Sequence, residues 1–141
     1  MENEMIDDYL ENAKLISFKR VFDSRGQLVI GEFTDLPFLP QRFFMQTVDK
    51  DGETRGGHAH KSCQQLLIPI IGEIKVNLHF KNQTRDILLS DPSVGLFLPS
   101  MIWASQHFDR KESMVLVLAS EPYLEADYIR SLDEYKKLTH Q

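Results

Sequence analysis

Cysteine is almost missing from the sequence, and the single one, Cys63, cannot form an internal disulfide. This scarcity is typical of a reducing compartment and predicts a cytoplasmic protein in which Cys63 fills space. No apolar run approaches the roughly 18 consecutive residues that a membrane helix requires. Residues 1–11 lack the basic start and the apolar stretch of a signal peptide. We therefore expect a protein that is neither exported nor bound to a membrane.

Basic clusters are missing as well. The 16 Lys and Arg residues are scattered along the chain, and the 21 Asp and Glu residues give a formal net charge of -5. Proteins that coat nucleic acids concentrate positive charge in a run or a patch. We therefore expect no nucleic-acid partner, whereas a few local arginines could still bind a small anionic molecule.

An all-β domain is indicated by the pattern of apolar residues. A length of 141 residues suits one core, and we expect one domain over residues 1–141. Short β-branched or aromatic runs alternate with turn residues, which is typical of antiparallel sandwiches and barrels. The polar stretch Asp133 to Leu138 predicts a short C-terminal helix, and residues 1–13 are expected to be a loosely held extension or an arm that crosses to a partner subunit. The predicted strands are Lys14 to Arg20, Gln27 to Phe33, Arg42 to Val48, Gln65 to Ile71, Glu73 to Phe80, Thr84 to Leu89, Val94 to Leu98 and Ser113 to Ala119.

Two histidines separated by one residue, His58 and His60, carry the clearest chemical signal. If their segment is extended, both imidazoles project from the same face of a strand. Histidine is the side chain whose ordinary pKa allows proton exchange near neutral pH, and it is also a common metal ligand. The pair is therefore equipped to bind a metal ion or to move protons, and a pair of strand histidines without a function is the third interpretation.

The metal interpretation is weighed by counting ligands. In metal-binding cupins a first motif supplies two histidines and a glutamate, and a second motif supplies a third histidine. This chain has the first spacing, but Gln65 stands at the glutamate position and Ala104 at that of the third histidine. Two imidazoles and an amide are too few for a firm divalent site. We expect no metal, with His107 as the residue that could replace the lost ligand, and we assign His58 and His60 as general acid and base.

Three arginines, Arg25, Arg42 and Arg55, are placed at a turn, at the start of a strand and just before the histidine pair. A lone arginine is usually a solvated surface charge. Together, the three could clamp a diphosphate, because guanidinium forks match phosphate oxygens. Lys61 could add a point charge, and Trp103 could stack on a base or a sugar or belong to the core.

The run Arg55-Gly56-Gly57-His58-Ala59-His60-Lys61 resembles the signature of the dTDP-sugar 3,4-ketoisomerases, the WxcM-like cupins. The resemblance implies a cupin jelly-roll β-barrel that forms a homodimer with exchanged strands and requires no metal or organic cofactor. The implied activity converts dTDP-4-keto-6-deoxyglucose to a dTDP-3-keto-6-deoxyhexose, for the biosynthesis of 3-amino-3,6-dideoxy sugars of surface polysaccharides such as lipopolysaccharide O-antigen. The other motifs that carry the resemblance are Asp23-Ser24-Arg25-Gly26-x-Leu28, Pro92 to Leu98, Leu118-Ala119-Ser120 and Asp127-Tyr128-Ile129-Arg130.

The resemblance also implies roles for single residues. The two signature histidines carry the proton transfers through an enediolate. We expect His60 to be the principal base and His58 the second proton carrier or the group that polarises the oxygen, with the reverse order as the alternative. Together with Lys61 and Trp103, the residues expected to bind the diphosphate and the sugar or to line their pocket are Arg25, Glu32, Arg42, Arg55 and Gln65.

Departures from the family pattern concern the sugar pocket and keep other functions open. Members of the family carry tyrosines where this chain has Phe44 and Met45. One alternative is a 3,5-epimerase on the same substrate, which typically needs a tyrosine acid, and Tyr123 and Tyr128 have no assigned place. The others are a non-catalytic nucleotide-sugar-binding cupin and a metal-dependent cupin dioxygenase. The gluco or galacto configuration of the product does not follow from the sequence.

Overall fold

The computed structural model describes residues 9–139. Within them, two five-stranded antiparallel sheets and a separate two-stranded hairpin account for the strands, and one short helix follows. The elements are β1 (Lys14–Ser17), β2 (Lys19–Asp23), β3 (Gly26–Ile30), β4 (Arg42–Gln46), β5 (Glu53–His60), β6 (Gln65–Ile71), β7 (Ile74–Phe80), β8 (Gln83–Leu89), β9 (Val94–Leu98), β10 (Trp103–Phe108), β11 (Met114–Ala119), β12 (Tyr128–Ile129) and α1 (Leu132–Leu138).

The core lies between the two sheets. The first sheet has the order β1-β9-β6-β11-β4, and the second has the order β12-β5-β10-β7-β8. Along β7, Ile74, Val76 and Leu78 are fully buried, whereas Lys75 and Asn77 between them are exposed. The inward rows of both sheets pack into one apolar cluster. This arrangement confirms the predicted all-β jelly-roll barrel.

The predicted strands agree best with the structure where apolar residues dominate the strand. β6 and β9 coincide with their predictions, and β7 and β8 each differ by one residue. The pattern does not predict β5 and β10, because glycine and polar residues dominate them. The predicted C-terminal helix is confirmed: α1 begins after Ser131, whose hydroxyl accepts a hydrogen bond from Glu134 N–H at 3.2 Å.

The start of the described chain packs on the barrel. Tyr9–Asn12 form a 3-10 turn, and Leu10 and Ala13 are buried in the core. Tyr9 Oη donates a hydrogen bond to the carbonyl oxygen of Ser100 at 2.8 Å. Residues 9–13 of the predicted extension are therefore part of this chain's own core, and the rest of it lies outside the described residues. Within the described part of the chain, no helix is long and apolar enough to cross a membrane.

A β-bulge interrupts β5 immediately before the histidine pair. Gly56 lies opposite Ser105, but His58 lies opposite Ala104, so the register with β10 shifts by one residue. The φ angles of Gly56 and Gly57 are 89° and 78°, in the left-handed region that favours glycine. The two consecutive glycines of the sequence therefore serve this bulge.

The change Gly56→Ala is expected to destabilise the protein more than Gly57→Ala. A Cβ at Gly56 would lie 2.7 Å from Oε1 of Gln106 and 3.0 Å from the carbonyl oxygen of Ala104, whereas a Cβ at Gly57 meets nothing within 4 Å. Backbone strain costs about 1–2 kcal/mol in both variants, and crowding adds about 1–3 kcal/mol to the first alone. Urea denaturation measures the difference, and equal free energies of unfolding would contradict it.

The outer face of the first sheet and the β2–β3 hairpin expose large apolar side chains. Phe22 of the hairpin is 69% exposed, and Phe43 and Met45 of β4 are 64% and 59% exposed. An apolar groove of about 220 Å³ runs between the hairpin and strands β6 and β11. Monomeric soluble proteins rarely leave a contiguous apolar surface of this kind uncovered.

Candidate active site

The two histidines project from the same face of β5 into the barrel, as the sequence predicts. Their ring centres are 5.2 Å apart and the rings are nearly perpendicular, at 89°. His58 lies opposite Ala104, which belongs to the core cluster. Ala59, between the histidines, points the other way and packs with Tyr135 of α1. Two imidazoles therefore stand side by side on the inner surface.

His60 is held by a buried carboxylate. Its Nδ1 lies 2.9 Å from Oδ2 of Asp127, and the two side chains are only 5% and 6% exposed. A carboxylate only accepts hydrogen bonds, so Nδ1 carries the proton and Nε2 keeps a lone pair. That Nε2 is buried and has no hydrogen-bond partner among the described residues. His60 therefore offers an unoccupied basic nitrogen within the protein.

Asp127 is fixed by the loop that follows β5. The backbone N–H and the hydroxyl of Ser62 donate to its Oδ1 at 2.7 and 3.0 Å. Burial raises the pKa of the Asp127 carboxyl, but the hydrogen bonds from Ser62 and His60 outweigh it, so the pKa lies below its ordinary value. Asp127 is therefore ionised at neutral pH and orients the imidazole of His60.

Burial keeps both imidazoles neutral. Together with electrostatic interactions with His60 and Arg130, it lowers the pKa of His58 from 6.5 to about 4. Burial also lowers the pKa of His60, although the hydrogen bond and the charge of Asp127 oppose this, and Arg42 and Arg130 contribute in the same direction as burial. A neutral imidazole can accept a proton at one nitrogen and donate one from the other, so the pair is suited to acid–base chemistry at pH 7.

The segment 123–130 forms a wall beside the histidines. β12 pairs with β5 so that Tyr128 lies opposite His60. The Tyr128 ring centre is 4.4 Å from that of His60 and 5.1 Å from that of His58. The guanidinium of Arg130 lies 4.2 Å from the centre of the same tyrosine ring. One aromatic ring therefore contacts both imidazoles and a cation.

Arg42 and Gln65 lie on the inner face of the first sheet in one cross-strand row. Arg42 is opposite Ala119, which is opposite Gln65. Gln65 is 5% exposed, and a short loop connects it to His60. The guanidinium of Arg42 lies 5.6 Å from the ring centre of Tyr123, and its Nε is buried without a hydrogen-bond partner in the part of the chain that the structure describes. Both residues are therefore brought to the end of the barrel where the histidines lie.

Three predicted site residues are not near the histidine pair within one chain. Arg25 lies at the tip of the hairpin, its side chain is 88% exposed, and it forms an ion pair with Asp23 at 2.7 Å. Glu32 is exposed beyond the end of β3. Trp103 packs against Tyr135 of α1, with ring centres 5.4 Å apart, on the outer face of the second sheet. Within residues 9–139, the structure does not bring these side chains to the imidazoles.

Arg55, Lys61 and His107 lie around the pair without contacting it. Arg55 precedes the bulge, opposite Gln106, and its Nη1 donates to a backbone carbonyl after β4 at 3.3 Å. Lys61 directly follows the pair and is exposed. His107 shares a 3.1 Å hydrogen bond with Thr54 on the outer face of the sheet. The expectation that His107 could replace a lost metal ligand is therefore wrong, because it points away from the pair.

One group of possible metal ligands is found among residues 9–139. Ligand atoms of His60, Cys63 and Asp127 lie within 4.8 Å of one another. His60 and Asp127 already bond to each other, and His58 does not belong to the group. This set differs from the cupin ligand set weighed in the sequence, and the expectation of no metal stays a prediction.

Sequence reasoning assigned no role to Asp127, Tyr128 and Arg130. The available signal was a Tyr-Ile pair flanked by opposite charges in a run that the resemblance marks as a motif. The partnership of Asp127 with His60 spans 67 residues and depends on the pairing of β12 with β5. A contact between residues so far apart in the sequence cannot be predicted from a local pattern.

A jelly-roll barrel that holds a neutral imidazole pair, one member oriented by a carboxylate, defines a cupin suited to proton transfer. The family model described as "FdtA: WxcM-like, C-terminal" matches residues 11–140. The chain belongs to this family.

Its relatives include enzymes that isomerise sugar nucleotides. The chain is 40% identical over 129 residues to the TDP-4-oxo-6-deoxy-alpha-D-glucose-3,4-oxoisomerase of Aneurinibacillus thermoaerophilus, covering 91% of this chain and 92% of the relative. It resembles the structure of QdtA, a sugar 3,4-ketoisomerase from Thermoanaerobacterium thermosaccharolyticum in complex with TDP, with a TM-score of 0.87, 39% identity and coverage of 93% and 96% of the two chains. A mutant of QdtA in complex with TDP-4-keto-6-deoxyglucose gives a TM-score of 0.84 and 42% identity, over 91% and 94% of the two chains.

Proposed function

We propose that this protein is a sugar-nucleotide 3,4-ketoisomerase that converts dTDP-4-keto-6-deoxyglucose to a dTDP-3-keto-6-deoxyhexose. The observation that carries the proposal is the buried Nε2 of His60, which has no hydrogen-bond partner in the described chain and lies beside a second neutral imidazole, His58. A 3,4-ketoisomerase needs groups that take a proton from one carbon and return one to the next, and these two side chains have that capacity. The 40% identity to an oxoisomerase supports the same substrate class.

His60 acts as the base. The ketone at sugar carbon 4 acidifies the hydrogen on carbon 3, so Nε2 of His60 removes that proton and the electrons move onto the carbon 4 oxygen. Protonation of the resulting enediolate at carbon 4, with transfer of the carbon 3 hydroxyl proton to the carbon 4 oxygen, leaves a ketone at carbon 3 and a hydroxyl at carbon 4. The step is balanced within the sugar, because one carbon is oxidised as its neighbour is reduced.

His58 supports the enediolate. As a neutral imidazole it donates a ring N–H to the sugar oxygen on which negative charge develops, and it can carry the second proton. Imidazoles alone supply the acid and the base in this scheme. We therefore include no metal and no organic cofactor in the proposed mechanism.

The remaining predicted residues belong to the substrate pocket. The buried Nε of Arg42, without a hydrogen-bond partner over residues 9–139, and the buried amide of Gln65 are available to polar groups of the sugar nucleotide. Arg55 and Lys61 lie close to the pair in the chain and are exposed, where they can add positive charge. Trp103 faces α1 in this chain, so its predicted contact with the substrate is the weakest supported of the set.

A homodimer with exchanged strands would complete the pocket. The apolar hairpin and the apolar outer face of the first sheet offer the surface that a second copy can cover. In such a dimer the hairpin of one subunit, which carries Arg25, and the following Glu32 would reach the other subunit's site. The product would serve an aminotransferase in the cytoplasm, on the way to a 3-amino-3,6-dideoxy sugar of O-antigen.

The direct test incubates chelator-treated protein with dTDP-4-keto-6-deoxyglucose in heavy water and follows the sugar by proton NMR. A 3-keto sugar with deuterium at carbon 4 is expected, and its coupling constants identify the gluco or galacto product. Deuterium at carbons 3 and 5 with an unmoved ketone would mean an epimerase, and no exchange would mean a binding protein. Activity that returns only when metal is restored would overturn the metal-free mechanism.

The pH dependence of the reaction is expected to reflect two imidazoles with lowered pKa values. Because the pKa of His58 lies at about 4 rather than 6.5, and that of His60 is lowered too, kcat/KM should not fall as the pH passes below 6.5. The fall should instead begin at a lower pH, and protonation of His58 should reduce kcat/KM as the pH approaches 4. An inflection at pH 6.5 or above would contradict neutral, buried imidazoles.

The free energy of unfolding is expected to depend on pH through the same two histidines. The unfolded chain binds more protons than the folded protein between pH 6.5 and about 4, because folding lowers both histidine pKa values. The contribution of the pair to the free energy of unfolding is therefore complete above pH 6.5 and decreases as the pH falls. Urea titrations of the protein and of its His58→Asn variant across this range measure the contribution.

A further inference from the structure

Arg130 stands at the open edge of the site, held there by a carboxylate. Its Nε and Nη2 donate to the two carboxylate oxygens of Glu125 at 2.8 and 3.0 Å. The two side chains are 53% and 58% exposed, whereas His60 is 5% exposed. The guanidinium also lies against Tyr128, whose ring contacts both histidines. The cation is therefore at the solvent boundary, one aromatic ring away from the reacting imidazoles.

This position matches the way a nucleotide sugar has to enter. Carbons 3 and 4 of the sugar must reach the buried Nε2 of His60, while a diphosphate is charged and strongly hydrated, so it is best placed near solvent. The diphosphate is attached at carbon 1, roughly one sugar ring away from the reacting carbons. A cation separated from the histidines by one aromatic ring lies at a comparable distance.

The ion pair with Glu125 prepares the guanidinium without blocking it. An exposed ion pair contributes little to stability, so a phosphate can replace the carboxylate at small cost. Until then, the paired hydrogen bonds and the tyrosine face hold the guanidinium in one orientation, which reduces the entropy lost on binding. The fork of donors that fits the Glu125 carboxylate also fits two phosphate oxygens.

We propose that Arg130 binds the diphosphate of the substrate and that Glu125 is a positioning residue, which holds the guanidinium over Tyr128 in the free protein. The identity of the ligand rests on the proposed function. The assignment adds a site residue from the segment 123–130 to the arginines indicated by the sequence.

Calorimetric titration with dTDP, which lacks the sugar, tests the assignment without depending on catalysis. Arg130→Gln is expected to weaken dTDP binding by about 10–100-fold, as for a lost hydrogen bond to a charged group. The dTDP affinity of Arg130→Lys should lie between those of Arg130→Gln and the unaltered protein, because lysine keeps the positive charge but lacks the two parallel donors of the guanidinium. Glu125→Gln should weaken dTDP binding by a few-fold, because its amide holds the guanidinium less firmly, and unchanged or tighter binding would overturn the positioning role of Glu125. Arg110→Gln changes an arginine of the exposed loop between β10 and β11, serves as the matched control and should not change the affinity.

The outcomes separate the two proposals. Normal dTDP affinity in folded Arg130→Gln, checked by its thermal unfolding, together with ketoisomerisation by the unaltered protein, would overturn the role of Arg130 alone. A loss of affinity as large in Arg110→Gln would overturn it too, since general charge would then be the cause. If the unaltered protein neither bound dTDP nor converted the substrate, the proposed function would be overturned.

Discussion

His60→Asn is expected to slow exchange of the substrate's carbon 3 proton with solvent by about 10²–10⁴-fold. Asparagine can still hydrogen-bond to Asp127, but it has no nitrogen that is basic near neutral pH. The lost atom is the buried Nε2, which has no partner among the described residues and is the nitrogen assigned to take the proton. Proton NMR in heavy water measures the exchange directly and does not require the later steps of the reaction.

Two further asparagine variants give this experiment its controls. His58→Asn should reduce turnover but retain more of the carbon 3 exchange, because His58 stabilises the charge on the sugar oxygen and does not itself remove the carbon 3 proton. His107→Asn changes a histidine on the outer face of the same sheet and should leave both rates unaltered. Unchanged exchange in His60→Asn would remove the assignment of the base, and loss confined to His58→Asn would reverse the two roles.

Asp127→Asn is expected to lower kcat by about 10²–10⁴-fold while changing KM little. The amide can still accept the hydrogen bond from Ser62 through its oxygen, so the loop keeps an anchor. Its NH2 group, however, donates to Nδ1 of His60 and moves the imidazole proton to Nε2. The base then presents a hydrogen instead of a lone pair to the substrate.

The pH profile distinguishes this orienting role from a purely structural one. The hydrogen bond and the charge of Asp127 raise the pKa of His60 against the effect of burial. Without them the pKa falls further, so the acid limb of kcat/KM should move to lower pH in Asp127→Asn. Asp86→Asn removes an exposed carboxylate that pairs with Lys75 at 3.5 Å and serves as the matched control. Equal kinetics in the two variants would contradict the orienting role.

The sequence predicts those parts of the fold and of the site that depend on short patterns of neighbouring residues. Apolar residues, alternating in β7 and nearly continuous in β6 and β9, specify these strands. One residue between His58 and His60 is enough to place both rings on one face. The structure confirms each of these. The strands β5 and β10 do not follow from such a pattern, because close packing around the site requires glycine and small or polar residues in them.

Contacts made across the chain could not be predicted in the same way. The pairing of Asp127 with His60 depends on a two-residue strand, β12, that has no recognisable periodicity. For Trp103, the sequence does not tell which face of the sheet the side chain occupies. An aromatic residue beside Ala104 can face the pocket or α1, and only the register of β10 decides between the two. Arg25 lies exposed at the tip of the β2–β3 hairpin, and the proposed second subunit that would receive it is not contained in the local sequence of one chain.

The bulge at Gly56 and Gly57 decides to which face of the sheet the side chains after it on β5 point. Arg55 and His58 are three positions apart, an odd number, yet they lie opposite Gln106 and Ala104, two residues of the same inward row. In a regular strand, positions an odd number apart face opposite ways. The extra glycine is therefore what turns the histidines inward, and a chain lacking it would direct both imidazoles away from Arg42 and Gln65. Loss of one glycine, with every side chain of the site retained, would turn the proposed active site into a pair of outward-facing histidines.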